Sequence, residues 1–188
     1  FCHKLCWYCG CNTSVPNGYD RAKRYTSTLL REVGLTAGAV DVPGKAVKHL
    51  HFGGGTPTYL RERELASIVG KIDNQFGLSS EAEVAIEIDP RSIDAADVSA
   101  LARLGFNRVS FGVQDFAQTV QEKINRIQPA DMVQRCVDEL RTAGVDAINF
   151  DLMYGLPGQT LESVIDTARK AADMQPSRIA VFGYAHVP

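Results

Sequence analysis

The chain has 188 residues, 45% hydrophobic and 22% charged, and its 20 Lys+Arg against 22 Asp+Glu leave a net charge of −2 with neutral histidines. That is an ordinary globular composition, long enough to bury one full core, which excludes a disulfide-stapled miniprotein and a disordered polar tail. No apolar run approaches the roughly 20 residues that span a bilayer, and the near-neutral balance lacks the basic excess that binding a phosphate backbone demands, so neither a membrane nor a nucleic-acid partner is expected.

The chain opens on Phe1-Cys2 with neither an initiator Met nor a signal-peptide pattern, and it reads as a fragment. Cys2, Cys6, Cys9 and Cys11 crowd into the opening segment, and only Cys136 lies elsewhere. So few intervening residues leave little room for disulfide geometry. A reduced, metal-binding site in a cytoplasmic protein is the better reading.

Beyond that loop, helical and strand periods alternate. Tyr25, Leu29, Leu30 and Val33 form one helical stripe, and Leu65, Ile68, Val69, Ile72 and Phe76 a second that ends at Gly77. Val98, Leu101 and Leu104 make a third before Gly105, Met132, Val133, Cys136, Val137 and Leu140 a fourth, and Leu161, Val164, Ile165 and Ala168 a fifth. Strand-like runs fall at about residues 46–52, 83–89, 108–114, 146–153 and 178–185. Repeated strand–helix units with short loops imply parallel strands and right-handed crossovers, hence an α/β fold. A complete eight-unit barrel takes about 250 residues, so an incomplete (β/α)6-type TIM barrel is expected, with a doubly wound sheet as the alternative. Residues 1–188 show no interdomain linker and are taken as one domain.

Three of the runs alternate in a way that points to a site. Val84, Ile86 and Ile88 oppose Ala85, Glu87 and Asp89; Val109, Phe111 and Val113 oppose Ser110, Gly112 and Gln114; Ile148, Phe150 and Leu152 oppose Asn149, Asp151 and Met153. If the apolar faces pack on helices, Glu87, Gln114 and Asp151 point into the barrel near the C-terminal ends of their strands, where barrel active sites lie. A polar rim that only solvates the strand ends is the bland reading of each residue alone. Cys136, on its apolar stripe, reads as a buried small residue without a role.

The spacing Cys2-x3-Cys6-x2-Cys9 puts three thiolates on one short loop, able to cap three corners of an iron–sulfur cube and leave the fourth iron open. Structural zinc more often uses two separated Cys-x2-Cys knuckles or later histidines. Gly53-Gly54-Gly55-Thr56-Pro57 follows a strand, where glycines let a backbone approach a ligand closely or simply make a tight turn.

The three-cysteine spacing resembles the signature of radical S-adenosylmethionine enzymes. More closely, the segments Phe1–Asn12, His49–Leu60, Gly112–Phe116, Tyr154–Pro157 and Tyr184–His186 are similar to the oxygen-independent coproporphyrinogen III oxidases of that superfamily. The resemblance implies a radical SAM core domain over 1–188, with the first barrel strand and a C-terminal helical region outside it. It also implies a [4Fe-4S] cluster on Cys2, Cys6 and Cys9, with S-adenosylmethionine on the open iron. The activity implied is removal of two propionate carboxyls from a porphyrinogen as CO2, with an electron donor such as a flavodoxin or ferredoxin and a monomeric protein. Carried over by position, Tyr8, Gly54 and Glu87 would hold that S-adenosylmethionine, Tyr8 beside its adenine. Gly55, Thr56, Gln114, Arg126, Asp151 and Ala185 would line a second S-adenosylmethionine site. Arg126 also reads as a solvated surface charge, Ala185 and Tyr8 as packing residues. Cys11 is surplus to a three-thiolate cluster, and its Cys-Gly-Cys-Asn context resembles the oxidases, so a role in turnover is expected for it.

Two rivals remain. A heme-handling paralogue of the same family would keep the three-cysteine loop without decarboxylating. An amidohydrolase-like metal site could start from His49-x-His51, with only His186 available further along.

Overall fold

In a computed structural model, which describes residues 1–40 and 46–185, six helices and five strands alternate. Helix α1 (Asp20–Ala39) follows the cysteine loop. Then come β1 (Val47–Phe52), a 3-10 turn (Pro57–Tyr59), α2 (Glu62–Phe76), β2 (Leu78–Ile88), α3 (Ala95–Arg103) and β3 (Arg108–Gln114). The chain continues through α4 (Gln118–Lys123), α5 (Ala130–Thr142), β4 (Ala147–Tyr154), α6 (Leu161–Asp173) and β5 (Arg178–Gly183).

All neighbouring strands pair in parallel, in the order β1-β2-β3-β4-β5. That order settles barrel against doubly wound sheet: a doubly wound sheet must reverse direction to place helices on both faces. With uniform right-handed crossovers and no reversal, the helices lie on one side and pack in succession, α1 on α2, α2 on α3, α3 on α5. The other face of the curled sheet becomes the interior of a partial (β/α) barrel.

The alternation seen in the sequence sets the core. Ile86, Ile88, Val109, Phe111, Val113, Ile148, Phe150 and Leu152 are buried under the helices with Leu65, Ile68, Val98, Leu101, Val133, Val137 and Leu140. The Phe111 and Phe150 rings meet edge to face, 5.8 Å apart between centroids. Cys136 is buried in the same core, its Sγ facing the Pro90 carbonyl. Helix α3 starts in a capping box, in which the Asp94 side chain accepts from the Ala96 and Asp97 amides and Asp97 returns a bond to the Asp94 amide. Thr160 and Ser163 do the same for α6.

The structure departs from the sequence reading at three places. β2 begins at Leu78 rather than 83, because the preceding segment pairs with Val47 as an irregular start to the ladder. β5 ends at Gly183, two residues short of 185. Helix α4 was not anticipated: with six residues it is too short to show a repeating stripe.

Candidate functional site

The cysteine loop lies across the C-terminal ends of the strands and is tied down from both sides. The Thr56 amide donates to the Phe1 carbonyl at 2.7 Å, on the side of β1. On the side of α4, the Trp7 amide donates to the Ile124 carbonyl at 3.0 Å and Asn125 Nδ2 to the Leu5 carbonyl at 2.7 Å. A tight turn within the loop brings the Cys9 amide to the Cys6 carbonyl at 3.1 Å.

Gly55 has a reason to be glycine. Its φ is 58°, and a Cβ there would lie 2.9 Å from the Phe1 nitrogen and 3.0 Å from the Phe1 oxygen, so any side chain would push the cysteine loop away. Thr56, buried beside it, places its hydroxyl 3.5 Å from Cys2 Sγ. The Gly54 amide, next in the same turn, donates to Glu87 Oε2 at 3.0 Å, and His51 Nε2 stands 3.4 Å from the other Glu87 oxygen. Tyr8 packs against Val120, Ile124 and Leu156, and burial holds its phenol well above the usual range.

All five cysteines are free thiols. Cys6 is buried and receives two guanidinium groups, Arg91 Nη2 at 3.5 Å and Arg126 Nη1 at 3.6 Å. Between them lies Asp89, which accepts from Arg91 Nη2 at 2.6 Å and Arg126 Nη1 at 3.4 Å. Burial opposes ionisation of Asp89, but the Arg91 hydrogen bonds and both positive charges hold its carboxyl below the ordinary carboxylate range. Cys9 Sγ faces the Thr13 hydroxyl at 3.9 Å, and exposed Cys11 stands beside Cys9, whose sulfur pushes the Cys11 thiol up.

On the inner face, Gly112 leaves the space that a Cβ would fill. A side chain there would meet Gln114 Nε2 at 2.8 Å and Arg126 Nη2 at 3.3 Å. Arg126 Nε and Nη2 donate to the Gly112 carbonyl at 3.1 and 2.7 Å. Arg126 is thus a buried strut between β3 and the cysteine loop, and its reading as a solvated surface charge is corrected. Gln114 reaches this place by a different route from simple alternation. Its φ is 65° and the ladder slips between Gly112 and Gln114, so its side chain folds back over Gly112. Its Oε1 is buried with no hydrogen-bond partner among the described residues. Asp151, opposite Gly112 in the ladder, is half-buried, and burial followed by the Glu87 charge raises its carboxyl. Ala185, in contrast, is exposed, so it does not pack as its alternative reading supposed, and His186 lies outside the described residues.

Sequence reasoning missed Asp89 and Arg91 as neighbours of Cys6. The Asp-Pro-Arg run at the end of β2 was the available signal, a carboxylate followed two residues later by a cation at the mouth of the barrel. It also missed Arg108, which joins Glu83 at 2.8 Å and Asn149 Oδ1 at 3.1 Å and fills the interior one layer below. A cleft of about 1070 Å³ runs from Cys11 and the glycine turn back along β1 to Leu29 and Val33. It opens beside the edge strand and shares Cys11, Gly54, Gly55 and Thr56 with the site, but not Gln114 or Asp151.

Among the described residues no three His, Cys, Asp or Glu side chains converge to hold a metal ion. A zinc site would gather its thiolates about 2.3 Å from one point, whereas a cluster presents its irons at separate corners. His51 pairs with Glu87, and no third ligand joins it and His49 among the described residues. The donor set fits an iron–sulfur cluster: reduced thiols on one loop and two cations at Cys6 to offset thiolate charge.

A partial (β/α) barrel with a three-cysteine loop over its strand ends defines a class, and the radical SAM superfamily model matches residues 1–171. The chain belongs to the radical S-adenosylmethionine superfamily. It is 46% identical over 188 residues to the oxygen-independent coproporphyrinogen III oxidase of Bradyrhizobium diazoefficiens, covering all of this chain and 42% of the relative. It is 40% identical to that of Escherichia coli K12, covering 100% of this chain and 41% of the relative. The solved structure of Escherichia coli coproporphyrinogen III oxidase (HemN), described as a radical SAM enzyme, superposes with a TM-score of 0.93 at 40% identity, over 100% of this chain and 43% of that one. The structure of anSMEcpe with bound AdoMet, at 12% identity and a TM-score of 0.64, covers 98% of this chain and 49% of that one and shares the fold. The chain thus spans about two fifths of the length of these curated relatives.

Proposed function

We infer that residues 1–188 form the radical-generating core domain of an oxygen-independent coproporphyrinogen III oxidase, acting on porphyrinogen propionates. Bound there, the cluster and S-adenosylmethionine would supply a 5′-deoxyadenosyl radical able to take a β-hydrogen atom from a propionate, and loss of CO2 to give the vinyl group would then release one electron to a terminal electron acceptor. Cys2, Cys6 and Cys9 hold the cluster. Glu87 and Gly54, already paired through a backbone amide, receive the methionyl amino group. Tyr8 closes the adenine side. Gly55, Thr56, Gln114, Arg126, Asp151 and Ala185 line the second S-adenosylmethionine site, where the Gln114 Oε1 accepts a donor from the ligand. Cys11, outside the ligand set, acts in turnover.

The observation that carries this reading is the seat of the cysteine loop, held by Thr56 and Asn125 over strand ends that present Glu87, Gln114 and Asp151. No helix among the described residues is long and apolar enough to cross a membrane. A cytoplasmic monomer that takes electrons from a flavodoxin or ferredoxin, without nucleic-acid or membrane partners, completes the proposal. Anaerobic reconstitution of the full-length protein followed by an assay on coproporphyrinogen III tests it. CO2 release with S-adenosylmethionine cleavage is expected. A protein that binds heme and never decarboxylates belongs instead to the heme-handling paralogues.

A further inference from the structure

Arg91 is held by its own turn. Asp89, two residues earlier, accepts from the Arg91 amide at 3.1 Å, from Nε at 2.9 Å and from Nη2 at 2.6 Å. The remaining reach of Nη2 is spent on Cys6 Sγ at 3.5 Å. The pair is mostly out of solvent, with side-chain exposures of 17% for Arg91 and 13% for Asp89, so bulk salt screens it little. Such a fork, fixed by a bidentate carboxylate, costs less ordering per bond than a free side chain would. Arg126 also touches Cys6, yet its orientation is set by the Gly112 carbonyl. Arg91 has no comparable tie to the strands and no part in the roles assigned above.

We propose that Arg91, positioned by Asp89, donates a charge-assisted hydrogen bond to the Cys6 ligand sulfur and raises the reduction potential of the cluster. This rests on the reading of Cys6 as a cluster ligand. Reduction takes one electron from an external one-electron donor, converts [4Fe-4S]2+ to [4Fe-4S]+ and adds one negative charge. A fixed cation and an N–H aimed at the sulfur favour that product over the oxidised cluster. The pair therefore acts on the electron-entry step through Cys6, without contact with substrate.

The test is a redox titration with dithionite, followed by electron paramagnetic resonance, on the full-length reconstituted protein, with iron and sulfide counted in parallel. R91Q is expected to load iron normally and to make one-electron reduction about tenfold less favourable, equivalent to about 59 mV for one electron. R91K keeps the charge but not the fork that reaches Asp89 and Cys6 together, and is expected to shift the potential the same way by less. It also carries the comparison if R91Q does not load. No shift in whichever variant loads overturns the proposal. Loss of iron from both variants, with a loaded wild type, makes Arg91 an assembly residue and overturns it too. A wild type that never loads iron removes the underlying reading of Cys6 as well.

Discussion

Asn125, two residues past the end of α4, takes a left-handed backbone with φ 57° and donates its side-chain amide to the carbonyl of Leu5 at 2.7 Å. Asparagine visits that region more readily than other L residues. One residue therefore turns the chain out of α4 and ties down the cysteine loop.

Replacing Asn125 separates those two jobs. Asn125→Ala is expected to cost about 1–2 kcal/mol from the left-handed backbone alone, together with the lost hydrogen bond. Asn125→Gly restores the backbone freedom and loses only the bond. Both variants should release iron to a chelator faster than wild type, while only the alanine variant shows a clearly lower Tm. Wild-type iron retention in Asn125→Gly would show that the bond to Leu5 does not seat the loop.

Serine at Cys2, Cys6 or Cys9 is expected to bring iron and sulfide to background after anaerobic reconstitution, because the proposed protein ligand set consists of these three thiolates alone. Any one variant that keeps normal content removes that cysteine from the set. Stoichiometric zinc in untreated protein would favour a structural site.

Cys11→Ser is expected to keep the cluster and lose turnover. Cys11 stands beside Cys9 with only Gly10 between them, a short span for reaching a separate iron. Iron content, S-adenosylmethionine cleavage and porphyrinogen decarboxylation should be measured together. Loss of the cluster would make Cys11 a fourth ligand, and unchanged turnover would leave it a bystander.

Alanine at Glu87 or Gln114 is expected to weaken S-adenosylmethionine binding by roughly tenfold or more, the scale of a hydrogen bond to a charged group at about 1.5–3 kcal/mol. Tm should hardly move, since Glu87 is half-exposed and Gln114 Oε1 has no partner to lose among the described residues. A large fall in Tm with normal binding, measured calorimetrically, would reassign them to structural hydrogen bonding.

Asp151 gives a pH-dependent prediction. Burial and then the Glu87 charge raise its carboxyl in the folded state, so the folded chain holds the proton more tightly than the unfolded one. Its favourable contribution is complete in acid below the ordinary carboxylate range and is lost as pH rises through the raised folded value. Asp151→Asn should therefore raise Tm at neutral pH and leave it unchanged in acid. Equal Tm values at neutral pH would mean that the ionised carboxylate is fully compensated.

Much of this molecule is local and periodic, and that part was legible without a structure. Alternation in β2, β3 and β4 separates Ile86, Phe111 and Phe150 from Glu87, Gly112 and Asp151, because side chains on a strand take opposite faces. The cysteine spacing is local too, since Cys2, Cys6 and Cys9 lie on one short stretch of chain. What only the tertiary structure decided involves partners far apart in the chain. Arg126 reaches Cys6 and Asn125 reaches Leu5 across 120 residues, and Arg91 reaches Cys6 across 85. No period in the sequence records such pairs, and α4, which makes two of them possible, is too short to leave a stripe. Gln114 shows the limit most clearly: alternation placed it on the inner face, but a left-handed backbone and a slipped ladder put its side chain over Gly112. Local pattern chose the faces, and only long-range packing chose which atoms on them meet.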